Sequence, residues 1–156
     1  YTTRVGTGPF PTELFDDDGQ KLRDLGHEYG ATTGRPRRCG WFDAVAGIHS
    51  VRVNGLTDIA LTKLDILDHF EEINICVAYK VDGKEIKNMS EVLHCLEDVE
   101  PIYESHKGWM STTTGIEKFD ILPQAAQNYI SRLETLINTR ISIISTGPGR
   151  DEIIRK

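Results

Sequence analysis

The sequence predicts an α/β fold, a mostly parallel sheet with flanking helices and one β-hairpin, on three observations. Short, apolar, β-rich runs at residues 59–64, 73–79 and 141–145 read as buried strands. Apolar residues recur at three- and four-residue intervals over 18–29, 41–53 and 123–137, which is the period of helices. Strands and helices alternating along a chain build a sheet with covering helices, and leave the loops at the carboxyl ends of strands as the ligand crevice.

Each element follows from local chemistry. A Pro- and Gly-rich opening over 6–11 precedes a helix over 18–29, with Leu22 and Leu25 on one face, an acidic start and Gly30 as its stop. The next helix, over 41–53, spaces Trp41, Val45, Ile48 and Val51 along one face and ends at Asn54-Gly55. The loop between them therefore sits between two helices. Val81-Asp82-Gly83-Lys84 between apolar runs is a hairpin signal and adds an antiparallel excursion. A short helix over 90–96 takes Ser90 as its N-cap, and Ile102-Tyr103 lies in a further strand behind Pro101. Pro123 suits the first turn of the clearest helix, where Ala126, Ile130, Leu133, Leu136 and Ile137 recur at helical intervals. The strand Ile141-Ser142-Ile143-Ile144-Ser145 then ends in Thr146-Gly147-Pro148-Gly149.

Composition bounds the class. A chain of 156 residues, 38% hydrophobic and 27% charged, is expected to form one soluble domain over 1–156. No apolar run approaches the roughly 20 residues that cross a bilayer, so no membrane association is expected. The start, Tyr1-Thr2-Thr3-Arg4-Val5, has neither a signal peptide's apolar block nor an initiator Met and reads as the interior of a longer sequence. Cys39, Cys76 and Cys95 are odd in number and lack metal-ligand spacing, which points to reduced thiols and a cytoplasmic location. A net charge of −6 argues against nucleic-acid binding, which needs a broad basic face.

Three motifs carry chemistry. Gly30-Ala31-Thr32-Thr33-Gly34-Arg35-Pro36-Arg37-Arg38 puts three guanidinium groups beside two hydroxyls in a loop hinged by glycines. Arginine keeps its charge and offers a planar fork of donors to carboxylates or phosphates, so the loop reads as an anion site. Thr62-Lys63-Leu64-Asp65 lies at a strand end, where Lys63 and Asp65, two apart on an extended chain, point to the same side. The Asp65 carboxylate can accept two N–H groups from guanine, a pair adenine lacks, while the stem of Lys63 covers the base. Ser145-Thr146-Gly147-Pro148 ends another strand in small residues, so its backbone is free to grip a second purine edge.

These motifs, together with Val5-Gly6-Thr7-Gly8-Pro9-Phe10-Pro11-Thr12-Glu13-Leu14, Gly26-His27-Glu28-Tyr29, Cys39-Gly40-Trp41, Pro101-Ile102-Tyr103-Glu104 and Leu122-Pro123-Gln124-Ala125-Ala126, resemble the carboxyl-terminal part of the adenylosuccinate synthetase family from residue 1 to about 150. The resemblance implies part of a larger, P-loop-NTPase-like α/β ligase that joins inosine monophosphate (IMP) to L-aspartate at the expense of GTP, with magnesium, as a homodimer in purine nucleotide synthesis. It assigns Val5, Ala31, Thr32, Thr33, Gly34, Arg35, Pro36 and Arg37 to the aspartate loop and its ligands. Arg35 also reaches the IMP ribose. Arg37, Lys63, Leu64, Asp65, Ser145, Thr146 and Gly147 fall on the GTP side. Pro36 departs from the family pattern by stiffening the chain between two arginines, which leaves the side-chain roles intact and alters loop mobility.

The family's phosphate loop, catalytic Asp and His, and metal site have no counterpart here. His27, His49, His69, His94 and His106 match none of those positions and read as surface or packing residues. The chain alone is therefore expected to be inactive, with no catalytic residue and no metal ligand of its own. A competing reading is a guanine-nucleotide-binding module without chemistry, and a structural one is an assembly surface. The first has no use for the arginine loop, and the second predicts that Arg35→Ala in the complete enzyme leaves turnover nearly unchanged.

Overall fold

In a computed structural model that describes residues 1–156, the chain divides into two units, Tyr1–His49 with Asn74–Glu104, and Ser50–Ile73 with Ser105–Lys156. The first unit begins with β1 (Thr2–Arg4). The next element is α1 (Asp17–Leu25), started by the Asp16 carboxylate, which accepts the Gly19 N–H at 3.1 Å. It buries Leu22 and stops at Gly26, earlier than the expected residue 29, because the chain turns through a positive φ of 50° at His27. Beyond the arginine loop, β2 (Arg38–Gly40) pairs antiparallel with β1, placing Arg38 opposite Arg4.

Trp41 does not open a helix. β3 (Phe42–Asp43) intervenes, and α2 (Ala44–Asn54) starts after Asp43, whose Oδ1 accepts the Ala46 N–H at 3.0 Å. β3 runs parallel to β5 (Glu72–Val81), a strand longer than expected. β6 (Lys84–Ile86) returns antiparallel to β5 through the expected turn, and β7 (Glu100–Lys107) also pairs with β5. Val45, Cys76, Tyr79, Val92 and Val99 form the apolar cluster of this unit. The Tyr79 hydroxyl donates to Asp43 Oδ2 at 2.5 Å, while burial pushes the Asp43 carboxyl above its ordinary pKa and the Cys76 thiol up to about 12. Residues 90–96 are not a helix. One 3₁₀ turn, Met89–Glu91, is capped by Asn88, which accepts the Ser90 N–H, so the N-cap is two residues earlier than Ser90.

The second unit is built on β4 (Asp58–Leu61) lying parallel to β8 (Arg140–Ser145), with β9 (Ile153–Arg155) antiparallel on β8's other side. The intervening α3 (Gln124–Ile137) buries Ala126, Tyr129, Ile130, Leu133 and Ile137, and ends at Asn138 in the left-handed conformation. β4 is shorter than the expected 59–64 because a 3₁₀ turn over Leu64–His69 begins where the strand stops. The α/β class stands, with its pairings mixed. The short turns after β5 and β8 reverse the chain and yield antiparallel neighbours, whereas longer crossovers yield the parallel pairs. No helix is long and apolar enough to cross a membrane.

Candidate functional site

The arginine loop closes on itself before it does anything else. Tyr29 and Pro36 form an antiparallel bridge, the Gly30 N–H donates to the Arg35 carbonyl at 2.8 Å, and the Arg37 N–H donates to the Glu28 carbonyl at 2.8 Å. The tip turns at Gly34, where φ is +65° and the N–H reaches the Gly30 carbonyl at 2.8 Å. Residues 31–36, namely Ala31, Thr32, Thr33, Gly34, Arg35 and Pro36, stay exposed. Thr33 Oγ1 accepts the Arg35 N–H at 3.3 Å and steadies the backbone under the guanidinium.

The three guanidiniums of the loop are not equivalent. Arg38 is tied into the framework. It is paired with Glu13 through Nε at 2.8 Å, donates from Nη1 to the Gly8 carbonyl at 2.7 Å, and lies over the Phe10 ring at 5.6 Å. Arg37 pairs through Nη1 with Glu28 at 2.8 Å. Glu28, 2% exposed, also accepts the Tyr1 hydroxyl at 2.7 Å. Arg35 has no side-chain partner in the chain. A cavity of about 490 Å³ opens beside these groups, lined by Arg4, Val5, Gly30, Thr33, Arg35 and Arg37 among others. Val5 is 79% exposed, so its backbone is accessible to a ligand.

The second cluster lies in the other unit. The parallel ladder of β4 and β8 sets two strand ends side by side, and the Lys63 N–H donates to Ser145 Oγ at 2.8 Å. Lys63, Leu64, Asp65, Ser145, Thr146 and Gly147 are thereby brought to one end of the sheet, at the carboxyl ends of β4 and β8. Lys63 is not extended. It adopts the left-handed conformation at φ 61°, and Asp65 sits in the following 3₁₀ turn, so the alternation expected of a strand does not set their directions. Leu64 is buried at 1% exposure and anchors that turn. Asp65 Oδ1 is buried without any hydrogen-bond partner. Burial pushes the Asp65 carboxyl above its ordinary pKa, opposed by its own N–H and Lys63 and reinforced by Asp68 and Glu152.

Thr146 is fully buried and engaged on every polar atom: its hydroxyl donates to the Ile116 carbonyl at 3.0 Å, its N–H donates to the Glu152 carbonyl at 2.9 Å, and its carbonyl accepts the Gly115 N–H at 3.3 Å, so it fixes the turn. Glu152 shapes the turn beyond it. Its carboxylate lies 2.5 Å from where a Cβ at Gly147 would sit and accepts the Gly149 N–H at 2.5 Å. Asp68, in the same 3₁₀ turn as Asp65, accepts Trp109 Nε1 at 2.6 Å, the Thr113 N–H at 2.6 Å and the Thr113 hydroxyl at 2.8 Å. Sequence spacing signalled none of Arg4, Glu28, Asp68 and Glu152, because their partners come from distant segments or from turns without a periodic pattern.

The chain is of the mixed α/β class, with an arginine-walled cavity in one unit and, at the strand ends of the other, a carboxylate oxygen without a partner. The particular family follows from comparison. The model of the family described as adenylosuccinate synthetase matches residues 1–154, and the chain belongs to that family. It is 55% identical over 154 residues to the adenylosuccinate synthetase of Geobacter sulfurreducens, covering 99% of this chain and 36% of that protein. It is 53% identical over 152 residues to that of Trichlorobacter lovleyi, covering 97% and 35%. A solved structure of fully ligated adenylosuccinate synthetase from Plasmodium falciparum superposes with a TM-score of 0.88 at 42% identity, over 100% of this chain and 38% of that one. The chain thus spans little more than a third of the relatives it matches.

Proposed function

We propose that this chain is the carboxyl-terminal segment of a GTP-dependent carbon–nitrogen ligase that converts IMP and L-aspartate to adenylosuccinate, releasing GDP and phosphate. The family match over residues 1–154 is the observation that carries the reading. In it, residues 31–37 hold aspartate, with Thr32, Thr33 and Arg35 at its carboxylates and Val5 beneath. Arg35 extends to the IMP ribose and Arg37 to the GTP side. Lys63, Leu64, Asp65, Ser145, Thr146 and Gly147 hold guanine.

Physical chemistry supports each part. Arg35 is exposed, unpaired and set on a glycine turn, as a side chain must be if it is to close over an anionic substrate and exclude water. Neutralising carboxylates in a closing site supplies positioning and charge stabilisation where charge develops. The buried, unpartnered Asp65 Oδ1 is the acceptor that a guanine N–H would satisfy. Magnesium belongs to the reaction the family implies. No three His, Cys, Asp or Glu side chains of this chain converge so as to hold a metal ion. Homodimer assembly and a cytoplasmic location complete the reading.

The test is steady-state kinetics of the complete enzyme with Arg35→Ala and Asp65→Asn. A rise in KM for aspartate in the first and for GTP in the second, each without the other, supports the two roles. Unchanged constants in both would remove them and leave family membership alone. Phosphate release by the isolated chain, dependent on all three substrates, would refute the inactivity of the segment.

A further inference from the structure

Arg4 is a cation without an anion. It lies at the end of β1 directly opposite Arg38, an arrangement in which like charges repel unless something neutralises them. Glu13 neutralises Arg38, and no carboxylate pairs with Arg4. Its guanidinium is nonetheless held. Nη2 donates to the Thr7 carbonyl at 3.2 Å and lies 2.7 Å from where a Cβ at Gly8 would stand, in a turn where Gly8 has φ +110°. A side chain at position 8 would therefore displace the arginine. Held this way, Arg4 lines the same 490 Å³ cavity as Arg35 and Arg37.

Counting charge around that cavity singles Arg4 out further. Glu28 offsets Arg37 and Glu13 offsets Arg38, which leaves Arg4 and Arg35 as the two uncompensated cations. A dicarboxylate amino acid whose amine has lost its proton, as a nucleophilic amine must, carries two negative charges. We propose that Arg4 is a second carboxylate-binding residue of this cavity, acting with Arg35 on opposite carboxylates of the amino-acid substrate. This rests on the reading of the loop as the aspartate site. It adds a residue outside the loop, fixed in the framework by the residues 6–8 turn, against which the loop residue closes.

The experiment measures KM for aspartate, IMP and GTP in the complete enzyme with Arg4→Ala, Arg4→Lys and Arg35→Ala, together with inhibition by succinate, a dicarboxylate without the amine. Arg4→Ala is expected to raise KM for aspartate and the inhibition constant of succinate roughly tenfold, the scale of one lost charge-assisted hydrogen bond. KM for GTP and IMP stays within twofold, and Arg4→Lys, keeping charge without the fork, falls between. A rise in all three constants with a lower Tm would make Arg4 a brace for the turn and overturn the proposal, as would a selective rise for IMP. If Arg35→Ala raises KM for aspartate and Arg4→Ala does not, the Arg4 assignment alone fails. If neither does, the aspartate reading of the cavity fails with it.

Discussion

The two candidate clusters use opposite strategies. In the first unit, the proposed recognition rests on guanidinium charge on an exposed loop whose rigid parts are elsewhere: Glu28 and Glu13, each from outside the loop, fix Arg37 and Arg38 and leave the tip with Arg35 unrestrained. In the second, the proposed recognition rests on one carboxylate beside two strand ends, locked by the Lys63–Ser145 bond and the three donors on Asp68. Coulomb attraction tolerates angular error, so a moving loop can deliver it. Reading donors on a heterocycle edge does not tolerate that error, and the acceptor must already be in place. A ligand bearing several full charges fits the first arrangement, and a neutral base fits the second.

The largest test of this contrast is Arg35→Ala in the complete enzyme. Removing a charge contact that becomes desolvated on closure costs on the order of 2–5 kcal/mol, so kcat/KM for aspartate should fall by roughly 30-fold or more, with Tm unchanged because Arg35 supports nothing else. Asp68→Ala should show the reverse pattern. It strands the Trp109 indole N–H and both Thr113 donors, at about 3 kcal/mol or more of stability. Urea unfolding should show that loss. A stable Asp68→Ala protein would mean that the turn carrying Asp65 is not held as described.

How much of this was legible in the sequence divides the same way. The 81–84 hairpin and α3 were legible because turn chemistry and a 3.6-residue period act over a few neighbours. The start of α2 was missed because Asp43 caps it from a strand, and apolar spacing from Trp41 onward imitates a helix. Arg35, Arg37 and Arg38 were legible as a cluster, but the sequence hides that two are matched by Glu28 and Glu13, which lie 9 and 25 residues away. Lys63 and Asp65 were found for a reason the backbone does not support, since the left-handed Lys63 ends the strand before alternation can orient them. Which charges remain unmatched is a tertiary property.

Asp65→Asn comes next in size. The amide keeps the shape but offers an N–H where guanine also offers one, losing about 1.5–3 kcal/mol of charged hydrogen bonding. The ratio of GTP to ATP in kcat/KM should drop accordingly. An unchanged ratio would place base recognition outside this carboxylate and reduce the strand-end cluster to a structural turn.

The smallest effect sharpens the comparison most, because the second cluster sets a half-buried carboxylate where the loop sets exposed guanidinium charge. Burial raises the pKa of Asp65 above the ordinary 3.8, so this carboxyl takes up a proton at a higher pH than an exposed aspartate does. Two consequences of opposite sign follow. In the proposed site the ionised form is the acceptor of the guanine N–H groups, so nucleotide affinity should weaken as pH falls through the raised value. Stability runs the other way. Burial favours the protonated form, so this group's contribution is present below the unfolded value and is lost as pH rises through the folded one. Measuring GDP affinity and urea stability against pH, for the complete enzyme and for Asp65→Asn, separates the two. The native protein should lose affinity on acidification where the variant does not, and the variant should lack the matching change in stability. Parallel curves for both proteins would show that Asp65 stays ionised and is solvated, and the contrast between a charge-based loop and a pre-formed buried acceptor would then fail at its second member.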